Sequence, residues 1–163
     1  MVNGKYSDKI SALVLLAPAT SPGSEQLLVK DYEKKLKQVR KLVSEGKGNT
    51  FLDRNAYGGI MPKSADSYID FSYLNPEFEY ALPFHKKRLP ALGKIKTPIL
   101  SVIGDQEEYT VLPITDALSL IKKENTNAKT VQISNCDHDF QEKEEELAEI
   151  LIGFFSENNL CSH

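Results

Sequence analysis

TPILSVIGDQEEY, Thr97 to Tyr109, is an apolar, β-branched run that stops at Gly104 and turns into an acidic loop. KTVQISNCDHDF, Lys129 to Phe140, repeats the design, with His138 in its loop. Short apolar runs bounded by turn residues mark buried strands. Between them Ile114 to Lys123 has helical spacing, so the segment reads strand, helix, strand, with an acid and a histidine just past successive strand ends. An acid and a histidine so placed read as two members of a nucleophile, base and acid triad.

Working outward, Ser11 to Ala17 (SALVLLA) is a continuous apolar run closed by Pro18, as expected of a strand covered on both faces in a parallel sheet. Ser24 to Gly46 places Leu27, Leu28, Tyr32, Leu36, Val39 and Val43 at spacings of three and four, an amphipathic helix stopped by a glycine. Its lysines and Arg40, with Glu33 interleaved, read as a solvated face. Residues 47–92 lose the alternation of strand and helix, and SADSYIDFSYLNPEFEYALPF is dense in aromatics; this stretch reads as part of an insertion. From Phe140 to about Phe155 a last helix turns Leu147, Ile150, Leu151 and Phe154 to one side. Asp139 with Glu142 resembles a capping box that would start this helix directly after His138. The expected architecture is α/β, with a mostly parallel sheet between helical layers.

The chain has 163 residues and a net charge of -3 with both signs interspersed, so no overall field selects nucleic acid or an anionic membrane. A domain of this size buries roughly 70% of its unfolded surface, enough for a real core. MVNGKYSDKI has no apolar signal core and no run reaches the roughly 18 residues of a membrane span, so a cytoplasmic protein is expected. Cys136 and Cys161 are too few and too far apart for a disulfide framework or a zinc set, and they read as plain thiols.

The order strand, GDQEEY, helix, strand, CDHDF, helix resembles the C-terminal third of the α/β-hydrolase fold. That resemblance implies an acid after a late strand, in a G-x-x-D/E arrangement, and the base histidine after the last strand. Gly104 plus three is Glu107, and DQEEY is similar to the D-x-D-E-Y of many members; Asp105 is the alternative acid. ALVLLAPA resembles the strand that follows the family's nucleophile elbow and helix, and an inserted cap after that strand is a family habit. Residues 1–23 and 93–163 are then expected to form the hydrolase core, with residues 24–92 a helical cap. The three-layer αβα form, a small-molecule ester or related acyl substrate and a serine-hydrolase activity are what the resemblance implies; it implies no cofactor.

The sequence departs from the family at the elbow, for no G-x-S-x-G occurs in its 163 residues. The nearest match is Ala19-Thr20-Ser21-Pro22-Gly23, after a strand and before a helix. Ser21 is a weak nucleophile candidate. The residue after the nucleophile must donate its amide to the oxyanion, and Pro22 has none; losing one such donor costs about 3–4 kcal/mol. The expectation is a chain that begins after the elbow, with Glu107 or Asp105 orienting His138 as base for a serine supplied upstream, and little activity of its own. The alternative is a non-catalytic remnant or binding module, which would leave the Ser11–Ala17 strand edge open to self-association.

A metal site among Asp137, His138 and Asp139 is disfavoured, because sequence neighbours rarely converge on one ion and no second histidine lies at ligand spacing. Cys136 is too near His138 in sequence to form a dyad with it. Gly46 to Thr50 lacks the order of a phosphate loop, and His85-Lys86-Lys87-Arg88 reads as a solvated turn.

Overall fold

The run PILSVIG has apolar groups on both sides of a pleat, and such a strand is stable only with a layer on each face. The computed structural model, which describes residues 9–18, 27, 29–57, 62–73 and 80–160 without the side chains of 54, 55 and 71–73, puts it there. β1 (Leu13–Leu16), β2 (Ile99–Gly104) and β3 (Ala128–Ile133) form a parallel sheet in that spatial order. Leu13 pairs with Ile99, and Ile99 with Ala128 across the other edge. Every residue of the central β2 is buried.

Alternation along the strands divides the core. Ile99 and Ile103, with Leu13 and Leu15, meet Ala117, Leu120 and Ile121 of α4 (Ile114–Glu124) on one face. Leu100, Val102 and Ile133 meet Phe154 and the partly buried Leu147, Ile150 and Leu151 of α5 (Glu144–Glu157) on the other. Helix, sheet and helix are therefore stacked in three layers. Burying each large aliphatic side chain contributes about 1.5–3 kcal/mol, and Ile99, Leu100 and Ile103 are fully buried.

Between β1 and β2 lie α1 (Tyr32–Ser44), α2 (Arg54–Tyr57) and α3 (Ala65–Tyr73). Tyr32, Leu36, Val39, Leu52, Ala65 and Tyr68 form a core of their own. Phe84, Leu89 and Leu92, in the same intervening segment, instead join the α4 side of the sheet. Asn125 joins that stretch to α4, its buried Nδ2 donating to Leu92 O at 2.9 Å and Ile95 O at 3.0 Å.

Two local expectations are corrected. The stripe from Leu27 is not continuous: Asp31 is left-handed with φ 56°, α1 begins at Tyr32, and Leu27 is 68% exposed. An aspartate tolerates that conformation, and the turn interrupts the stripe ahead of the helix, while Val29 still packs against the Tyr32 and Leu36 cluster. The Asp139–Glu142 capping box does not form either. Asp137 Oδ1 accepts the amides of Asp139 at 3.1 Å and Gln141 at 3.2 Å, Phe140 and Glu142 take positive φ, and α5 starts only at Glu144. A side-chain-to-backbone turn won over an early helix start.

Candidate active site

The site is built where the ends of β2 and β3 meet. Beyond β2, the Asp105 amide donates to Ile133 O at 2.9 Å and the Gln106 amide to Cys136 O at 2.9 Å. In return Asp105 Oδ1 accepts the Cys136 amide at 3.2 Å. The loops approach so closely at Gly104 that a Cβ there would lie 2.1 Å from the Cys136 carbonyl oxygen. Only glycine fits this approach.

His138 is aimed by its neighbours. Cys136 and Phe140, two residues to either side, are both buried in the core beneath α5. They anchor the loop at both ends, and the imidazole is turned toward the β2 loop. There its Nδ1 lies 2.8 Å from Glu107 Oε2 and 3.0 Å from Oε1. The Glu107 side chain is fully buried, whereas that of His138 is 24% exposed. Glu107 Oε1 also accepts the Tyr109 amide at 2.9 Å, and the Tyr109 ring stands edge-to-face with the imidazole, centroids 4.8 Å apart. A buried carboxylate is costly unless donors satisfy it, and these donors do so here.

An ionised carboxylate can only accept, so the hydrogen between Glu107 and neutral His138 resides on Nδ1. The lone pair is then on Nε2, which no hydrogen bond engages among the described residues. An imidazole held this way can take a proton at Nε2 while the carboxylate stabilises the resulting cation.

Of the residues singled out in the sequence, Glu107 and His138 are brought together. Asp105 faces the Cys136 amide instead, and Ser21 lies outside the described residues. Burial raises the Cys136 thiol above its ordinary value, the adjacent Asp137 charge adding to the effect. Among the described residues no cluster of three or more His, Cys, Asp or Glu is placed to hold a metal, and no helix is long and apolar enough to cross a membrane. Tyr109 is the residue that sequence reasoning passed over. Its place in DQEEY was visible, but not that its ring would turn back onto a histidine 29 positions away.

No protein-family model matches the sequence, and no curated protein does. Solved structures do match. A Mycobacterium tuberculosis H37Rv protein assigned as a non-heme bromoperoxidase aligns over 94% of this chain and 60% of its own, with TM-score 0.53 and 14% identity. A thermophilic esterase aligns over 94% of this chain and 59% of its own, with TM-score 0.47 and 19% identity. The chain thus spans about 60% of the length of the bromoperoxidase.

Proposed function

We infer from the α/β-hydrolase fold of this chain, the fold of the structures it matches, that it supplies the acid and the base of a serine hydrolase acting on carboxylic esters or related acyl substrates. The observation that carries this reading is the contact of Glu107 with His138 Nδ1 at 2.8 Å, at the ends of adjacent parallel strands. Ligands of open α/β sheets bind at such strand ends. In this mechanism Glu107 orients the imidazole, and His138 Nε2 takes the proton of a serine hydroxyl as its oxygen attacks the acyl carbonyl. His138 then returns the proton to the leaving group, and a water, activated in the same way, releases the acid.

The serine belongs, on this reading, to a strand, G-x-S-x-G turn and helix outside these 163 residues, the strand pairing with the outer edge of β1, which carries no partner among the described residues. The geometry of β1 supports this. Leu13 and Ala17 donate their amides to Pro98 O and Val102 O of the β2 side, so by alternation those of Val14 and Leu16 point to the other edge. Residues 24–92 would form the cap; the separate core of α1 and α3 supports this for the part that carries them, while Phe84, Leu89 and Leu92 pack with the sheet.

The test is to express the chain joined to its upstream coding sequence and assay short-chain nitrophenyl esters and fluorophosphonate labelling. Hydrolysis is expected, with His138→Ala lowering kcat by about 10²–10⁴-fold. Undiminished hydrolysis in that variant would overturn the assignment.

A further inference from the structure

We propose that Tyr109 is a positioning residue for His138, its ring holding the imidazole in the orientation that keeps Nδ1 on Glu107. Three observations converge. The ring meets the imidazole at 4.8 Å between centroids and 80° between planes, an attractive edge-to-face geometry. The backbone amide of the same residue binds Glu107 Oε1 at 2.9 Å, so Tyr109 touches both partners. The turn that carries it is stiffened just beyond, where Thr110 Oγ1 donates to Leu112 O at 2.8 Å and accepts the Leu112 amide at 3.2 Å.

The consequence concerns tautomer and rotation. An imidazole is free to turn about its terminal side-chain torsion, which is broad and roughly two-fold. A half-turn would carry Nδ1 away from the carboxylate and put a carbon in its place, leaving buried Glu107 without its histidine donor. Glu107 disfavours that turn electrostatically, and the Tyr109 ring, packed edge-to-face with the imidazole, resists it through that attractive contact. Free imidazole side chains favour the proton on Nε2, so an Nδ1–H form reports that the histidine is held. The catalytic meaning of this role rests on the hydrolase reading, but the positioning itself can be measured without activity.

The experiment is long-range proton–nitrogen NMR of the imidazole rings of the 163-residue chain across neutral pH, with His138 assigned by its loss in His138→Ala. The unsubstituted chain and Tyr109→Phe, which keeps a ring, are expected to hold His138 predominantly as Nδ1–H. Tyr109→Leu is expected to shift it to predominantly Nε2–H while circular dichroism shows the fold retained. Tyr109→Met, also ringless, replaces the leucine variant if that one does not fold. An Nδ1–H form unchanged in the ringless variants would overturn the proposal, as would an Nε2–H form in the unsubstituted chain. A joined protein that failed to hydrolyse esters, with the tautomer shift still observed, would remove the hydrolase reading and leave the positioning role standing.

Discussion

Glu107 and His138 depend on each other because one is a fully buried carboxylate and the other is its hydrogen-bond donor. His138→Ala should destabilise the chain by about 1–3 kcal/mol, since the buried acceptor keeps, among the described residues, only the Tyr109 amide. Glu107→Leu combined with His138→Ala should recover much of that loss, because removing both partners abolishes the unmet demand. A urea double-mutant cycle measures the coupling, and additive losses would show that the pair does not interact. Cys136 gives a pH signature. Its thiol is raised by burial, so as pH climbs past the ordinary value of 9.0 the unfolded chain loses the proton first. The folded state then binds more protons, and stability falls with rising pH in that range; below it the contribution vanishes. Cys136→Ala should flatten that decline in urea midpoints. The sequence left Glu107 and Asp105 as rivals, because both are carboxylates in one short loop. Only the approach of the two loops places Asp105 against a backbone amide and Glu107 against the ring.

Elements were legible where periodicity was strong. The strands near residues 99 and 129, the helix from Ile114 and the apolar stripe of the last helix all lie where the pattern put them. Helix starts were the weak point, since several polar side chains competed to define them. At α1 the end was clearer than the beginning: Gly46, at φ 73°, donates to Val43 O at 3.0 Å while Lys47 donates to Leu42 O at 2.9 Å, a Schellman closure. A Cβ on Gly46 would meet nothing within 4 Å, so only backbone strain opposes a side chain there. Gly46→Ala should therefore cost about 1–2 kcal/mol, read as a lower thermal midpoint. Gly46→Asn should cost less, since asparagine tolerates the left-handed region. Equal stability of all three would mean that this turn is not closed as described.

At the scale of the molecule, the sheet has one strand buried on all sides and two, β1 and β3, whose outer edges carry no partner among the described residues. Leu16, at the end of β1, is 44% exposed. An apolar edge of this kind associates with whatever strand is offered. The chain by itself should self-associate in a concentration-dependent way on size-exclusion chromatography with light scattering. Leu16→Pro, which removes an outward amide and leaves the amides that face β2, should make it monomeric. A monomer before substitution would show that something else covers the edge. The sequence by itself determined the strands, the helices between them, the α/β class and the two loops that hold Glu107 and His138, because each follows from short-range periodicity and from where an apolar run breaks. Tertiary structure decided which carboxylate meets His138, that Asp137 delays the last helix, that the Tyr109 ring meets the imidazole edge-to-face and that Gly104 must be bare. Those outcomes depend on two strand ends being brought within hydrogen-bonding distance, and no local pattern in either loop encodes the geometry of the other.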